Sequence, residues 1–168
     1  MDGNFICSVK IRKPLPADSY LTRLPAVRNL DRQGGLAFEK PVTFLAGENG
    51  TGKSTLLEAI AIAAGFKNRF GGEGLYLLDE PEAALSPSRL MTLLARIHDL
   101  VQKHSQFIIA THSPILMAYP GAVVYELTED GIRAVDYRET EHYRLTRRFL
   151  EDPERMLRYL LEEHPPTG

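Results

Sequence analysis

Gly47-Glu48-Asn49-Gly50-Thr51-Gly52-Lys53-Ser54 has the spacing G-x-x-x-x-G-K-S, the phosphate-cradling P-loop or Walker A pattern. Its glycines let backbone N–H groups turn inward on phosphate oxygens, and a helix starting at the end of the loop adds its positive end. On this reading Gly47, Gly50 and Gly52 shape the loop, and the N–H groups from Asn49 through Thr51 to Thr55 hold phosphates. Lys53 reaches the β- and γ-phosphates, and the Ser54 hydroxyl is placed on Mg²⁺. The bland alternative is a glycine turn that happens to precede a helix.

A second group lies in Leu75-Tyr76-Leu77-Leu78-Asp79-Glu80. An apolar strand that delivers two successive acids is the Walker B pattern. Asp79, at the strand end, is expected in the Mg²⁺ shell beside Ser54. Glu80, one residue further, is placed to polarise a water aimed at the γ-phosphate. Many strands end in acids, so the run alone is a weak signal, and the upstream P-loop makes it specific. His112 is the third candidate. A lone histidine is usually a surface or satisfied core residue. This one follows an apolar strand downstream of the acids, where a sensor of the γ-phosphate belongs, with that phosphate and Glu80 as its partners.

These residues need elements to hold them. Pro41 to Ala46 is a short apolar, partly β-branched run that predicts a buried strand. Thr55 to Ala64 is rich in helix formers, with Gly65 as its stop. Leu75–Leu78 and Gln106–Ala110 read as further buried strands. Between them Ser86-Pro87 opens an amphipathic helix carrying Leu90, Leu93, Leu94, Ile97, Leu100 and Val101. Upstream, alternation over Phe5 to Ile11 predicts a half-buried strand with Phe5, Cys7, Val9 and Ile11 on one side. Tyr20 to Leu30 is read as a helical turn, Pro25 arguing against a long helix, and Leu36-Ala37-Phe38 as a short strand. Downstream, Ala122–Leu127 and Ile132–Val135 predict a hairpin. Two helices follow, about Glu141 to Leu150 and Pro153 to Glu163, the second capped by Asp152.

Bulk properties exclude several classes. The 168 residues suit one domain, with 43% hydrophobic and 25% charged residues, as in ordinary globular proteins. A formal net charge of −2 gives no global positive field for nucleic acid or anionic membrane. The single Cys7 rules out an internal disulfide framework and fits a reducing compartment. The most apolar stretch, Ala59 to Phe66, is too short to span a bilayer. Met1-Asp2-Gly3-Asn4 lacks the start of a signal peptide, so a cytoplasmic location is expected.

The stretches Gly47 to Glu58, Leu77 to Pro87 (Leu-Leu-Asp-Glu-Pro-Glu-Ala-Ala-Leu-Ser-Pro) and Ala110-Thr111-His112-Ser113-Pro114 together resemble the ATP-binding-cassette (ABC) ATPases. The likeness covers Pro41 to Leu127 and is greater to the stand-alone bacterial branch, often labelled AAA-type, than to transporter cassettes. The resemblance implies an α/β fold: a mostly parallel P-loop NTPase sheet flanked by helices, with additional antiparallel strands. It also implies ATP and Mg²⁺ as ligands, Glu80 and His112 as catalytic and switch residues, a D-loop at about Ala84 to Pro87, and a dimer that sandwiches ATP. Ser86 stands where transporter D-loops carry Asp. In the cassette order the Asp79 strand lies two strands from the P-loop strand, with the His112 strand between.

Two parts of the cassette pattern are missing between Lys53 and Asp79: a Q-loop glutamine with its helical subdomain, and a Ser-Gly-Gly-Gln-like signature. Gly71-Gly72-Glu73 lies too near Asp79 for a signature and reads as a tight connection. The expectation is a single cassette core, residues 1–168, whose helical insertion is absent near residues 66–70, with residues 67–74 spanning the gap. Such a core is expected to bind nucleotide with weak turnover by itself. Three function classes follow: a stand-alone ATPase in DNA maintenance or defence, a transporter nucleotide-binding subunit, or a binding module that uses nucleotide as a regulatory ligand. Lesser candidates are Arg144, Arg147 and Arg148 for nucleic acid, where interleaved acids favour a solvated face. Tyr20, Arg23 and Phe38 are candidates for the adenine contact. Leu145, Phe149, Met156, Leu157, Leu160 and Leu161 read as core packing rather than a partner face.

Overall fold

The computed structural model describes residues 4–16, 18–64 and 74–163. The chain opens with β1 (Ser8–Val9), a 3-10 turn (Tyr20–Arg23), α1 (Pro25–Arg32) and β2 (Leu36–Ala37), where β1 and β2 pair antiparallel. β3 (Val42–Ala46), α2 (Lys53–Ala63) and β4 (Leu75–Asp79) follow, then α3 (Pro87–Val101), β5 (Gln106–Ala110) and the short α4 (Pro114–Met117). β6 (Val123–Leu127), β7 (Ile132–Val135), α5 (Glu141–Glu151) and α6 (Pro153–Glu163) complete it.

The central sheet has five strands in the order β4-β5-β3-β6-β7. The first four run parallel and β7 pairs antiparallel with β6. This is the α/β fold expected of a P-loop NTPase, with β5 between β3 and β4 as expected. β3 and β5 are buried along their whole lengths, which is why they read as continuous apolar runs rather than alternating ones. Their residues divide between two cores. Leu45, Ile108 and Ala110 pack with Leu56, Leu57 and Ile60 of α2 and with Ala26 and Leu30 of α1. Val42, Phe44, Phe107 and Ile109 pack with Leu90, Ile97 and Leu100 of α3 and with Leu116 and Met117 of α4. Tyr76 of β4 stacks on Phe107, ring centroids 4.7 Å apart.

Several expectations change. The strand expected over Phe5 to Ile11 shrinks to Ser8–Val9, and its inward side is inverted at the start: Phe5 is 54% exposed and Cys7 is exposed, whereas Ile6, Val9 and Ile11 pack on the core. Here the partner is a side chain. Buried Gln106 accepts from the Ile6 N–H and donates to the Ile6 carbonyl, both at 2.8 Å. Pro25 bounds the helix as expected, separating the 3-10 turn Tyr20–Arg23 from the short α1. It occupies the first position of α1, where its missing N–H costs nothing. Helix α2 starts two residues before the expected Thr55. Ser86 precedes α3, but its hydroxyl meets Ser88 at 3.1 Å rather than capping. Asp152 does cap α6, accepting from the Arg155 N–H at 3.1 Å.

The C-terminal leucines are the largest correction. Leu145, Leu157, Leu160 and Leu161 are 42–63% exposed and Phe149 is 37% exposed. α5 and α6 pack on each other, with no buried residue in α5, so helical periodicity here marks an uncovered stripe and not a core. The connection expected over residues 67–74 and the insertion point near residues 66–70 fall almost wholly outside the described residues. Among the described residues no helix is long and apolar enough to cross a membrane.

Candidate active site

Parallel pairing puts the C-terminal ends of β3, β4 and β5 on one edge of the sheet, in the register Leu45, Ala110 and Asp79. Ligand sites of open α/β sheets form at such an edge.

β3 runs directly into the loop. Gly47 has φ +138°, and a Cβ there would lie 2.3 Å from the Leu127 carbonyl oxygen, so β6 packs against bare backbone. Gly52, at φ +95°, is the N-cap of α2, and a Cβ there would come within 3.1 Å of the Ala26 Cβ. α1 therefore backs the loop, and the Ala26 N–H donates to the Thr51 carbonyl at 2.8 Å. Asn29, fully buried, ties α1 to the turn after β6 by donating to the Thr128 and Glu129 carbonyls at 3.0 and 3.3 Å. The Thr51 hydroxyl donates to the Glu48 carbonyl at 2.9 Å.

Lys53 is the first residue of α2 and only 4% exposed. Its ammonium donates to the Gly47 carbonyl at 2.7 Å and the Glu48 carbonyl at 3.0 Å. Burial pushes its pKa below the ordinary lysine value, against the opposing pull of Glu80, Asp79 and Glu82. Next to it, the exposed Ser54 hydroxyl donates to Asp79 Oδ1 at 3.2 Å. Two oxygen donors therefore converge from α2 and β4, a set that suits a hard cation.

Glu80 leaves β4 in the left-handed region, at φ 42° and ψ 53°, a conformation that costs a non-glycine residue about 1–2 kcal/mol. Its N–H still pairs with the Ala110 carbonyl at 2.9 Å, so the twist comes after the last sheet bond. Its carboxylate Oε1 lies 2.8 Å from His112 Nε2, and Asn49 Oδ1 lies 3.1 Å from the same nitrogen. His112 thus bridges the Walker B end and the P-loop.

Two residues behind His112 were not assigned from the sequence. Glu82, on the 3-10 turn Pro81–Ala84, accepts through Oε1 from the Thr111 hydroxyl at 2.6 Å, the His112 N–H at 2.6 Å and the Ser113 N–H at 3.1 Å. Its second oxygen is buried with no partner among the described residues. Glu82 was visible in the acidic run after Asp79, but nothing local names a partner 30 residues on. His142, in the first turn of α5, places Nε2 at 3.1 Å from His112 Nδ1, with the rings edge-to-face at 4.7 Å. No motif signalled it.

Asn49, Gly50, Gly52, Lys53, Ser54, Thr55 and Glu80, with Leu24, line a cleft of about 170 Å³. Of the adenine candidates, Phe38 is sealed in the core at 1% exposure and cannot stack on a ligand. Tyr20 is 69% exposed on the turn that leads to Leu24. Of the α5 arginines, Arg147 is paired with Glu151 at 2.7 Å. Gly71-Gly72-Glu73 lies outside the described residues.

Residues 26–90 match a family model described as an AAA domain. Residues 69–118 match a second, described as "AAA domain, putative AbiEii toxin, Type IV TA system". No curated protein matches the chain. The two matches run from α1 to α4 and span the loop, both acids and His112. With the sheet order and the phosphate loop, they support a P-loop ATPase-type domain.

Proposed function

We propose that this P-loop domain is an ABC-like, stand-alone ATPase that binds ATP with Mg²⁺, hydrolyses it to ADP and phosphate, and uses the cycle to drive a dimerisation switch. The observation that carries the reading is the convergence of Ser54, Asp79, Glu80 and His112, from three different elements, on one P-loop cleft. The description attached to the second family match, "putative AbiEii toxin, Type IV TA system", favours the defence class over transport.

In this reading Lys53 exchanges the Gly47 and Glu48 carbonyls for the β- and γ-phosphate oxygens. The N–H groups from Asn49 to Thr55 hold the remaining phosphate oxygens at the start of α2. Ser54 and Asp79 would hold Mg²⁺, which would supply neutralisation of charge on the phosphates. Among the described residues no cluster of three metal-ligating side chains exists. Two protein oxygens, completed by phosphate and water, are what Mg²⁺ typically takes. Glu80 accepts the proton of a water whose oxygen bonds to the γ-phosphorus as the bond to the β–γ bridging oxygen breaks and ADP leaves. His112 donates from Nε2 to the γ-phosphate. A partner surface, supplied in trans, completes the site, and without it turnover is weak.

Thermal-shift titration with ATP and Mg²⁺ tests binding. Ligand at 100 times its dissociation constant stabilises by ~2.7 kcal/mol, and Lys53→Ala abolishes the shift. A wild-type chain that ATP does not stabilise overturns the reading. Phosphate release that requires Glu80 then separates an ATPase from a module that only binds nucleotide.

A further inference from the structure

His112 has two hydrogen-bonding nitrogens, and its surroundings decide which one carries the hydrogen. Nε2 faces the Glu80 carboxylate at 2.8 Å and the Asn49 amide oxygen at 3.1 Å. A carboxylate oxygen only accepts, so Nε2 must donate. In the neutral ring Nδ1 then holds a lone pair and needs a donor of its own. The group that faces it is His142 Nε2, 3.1 Å away. The hydrogens therefore run in one direction, from His142 Nε2–H to His112 Nδ1 and from His112 Nε2–H to Glu80.

The backbone that carries His142 is anchored. It lies in the first turn of α5, whose N-cap Thr140 is fully buried, accepts from the Tyr143 N–H at 3.3 Å and donates to the Tyr137 carbonyl at 2.6 Å. The Tyr143 ring packs edge-to-face on Tyr137 at 5.3 Å. The start of α5 is thus anchored to the body, while the rest of α5 and α6 projects exposed apolar side chains.

We infer that His142 is a positioning residue: by donating to Nδ1 it holds the His112 ring, whose tautomer Glu80 already sets, with its Nε2–H edge aimed into the cleft, and so ties the α5–α6 hairpin to the nucleotide site. The positioning stands on geometry alone, and its effect on nucleotide rests on the proposed function. Without the His142 donor, Nδ1 loses its partner and the ring is free to turn its Nε2–H away from Glu80 and the phosphate.

Long-range ¹H–¹⁵N spectra of histidine-labelled full chain, in mildly alkaline buffer where imidazoles are ordinarily neutral, read the tautomer directly. His112→Gln assigns the signal. Wild type shows the Nε2–H pattern. His142→Phe, which keeps the ring but removes the donor, and His142→Ala, which removes both, move the His112 Nδ1 signal toward that of an unbonded ring nitrogen. His142→Gln, with an N–H at a similar reach, restores the wild-type signal. In parallel, the preference for ATP over ADP falls about fivefold in the Phe and Ala variants, the typical worth of one hydrogen bond, with ADP affinity unchanged, and recovers in the Gln variant. An unchanged His112 signature in whichever of the Phe and Ala variants folds overturns the inference, as does an ADP affinity that falls equally with ATP. If wild type binds neither nucleotide, the proposed function fails while the apo spectra still decide the role of His142.

Discussion

On the loop side of the cleft the contacts are short in sequence. Lys53 reaches Gly47 and Glu48, and Thr51 reaches Glu48. On the sensor side His112 meets His142, Glu80 and Asn49, which lie 30, 32 and 63 positions away. The first side is a backbone device whose glycines are dictated by what approaches them. The second is a side-chain device that exists only once β4, β5 and α5 are assembled. A local device survives changes in the surrounding fold and is legible as a motif. A long-range one can be coupled to distant elements, and here it is coupled to the C-terminal hairpin.

The two sides can be broken separately. Glu80→Gln gives the largest effect: it lowers phosphate release by roughly 10²–10⁴-fold, the range for loss of a general base, while ATP binding on the loop side persists. Equal loss of binding would show that the two sides are one unit. Gly47→Ala attacks the loop side, where a methyl group would meet the Leu127 carbonyl in a backbone conformation that disfavours it. It lowers stability by about 3 kcal/mol in urea unfolding, and an unchanged midpoint would mean that β6 yields easily.

Glu82→Ala tests the sensor side without touching the cleft. Removing the shared acceptor of Thr111, His112 and Ser113 costs ~2 kcal/mol, and Glu82→Gln, which keeps an acceptor oxygen, costs less than half of that. Equal losses in the two variants would show that the acceptor is not what matters.

The smallest effect is a pH dependence in the ligand-free protein. The folded-state pKa of Lys53 is lowered, first by burial. Between that value and the unfolded one the unfolded chain holds more proton, so stability rises with pH across the alkaline window just below the ordinary lysine pKa. Below the window the burial penalty is fully present. Lys53→Met flattens this slope in unfolding curves taken across the window. A slope that persists in the variant assigns it to another group.

Much of the candidate site was readable because its determinants are local. The order of residue types from Gly47 to Ser54 prescribes loop, helix start and phosphate chemistry together. Asp79 and Glu80 announce themselves at the end of an apolar run, and full burial makes β3 and β5 continuous apolar segments. Periodicity failed where it was asked to name a partner. The stripe Leu145, Phe149, Leu157, Leu160 and Leu161 has the spacing of a buried helix face, yet beyond the anchored first turn of α5 these side chains stay exposed. Alternation failed likewise at Phe5 to Ile11, where Gln106 replaces a strand.

By itself the sequence determined the conformation of the loop and the parallel α/β frame, since backbone conformation and apolar runs are set by near neighbours. Only the tertiary structure decided which side chains stand behind His112. Glu82 and His142 carry no local signature, and their roles come from hydrogen-bond geometry across elements brought together by folding.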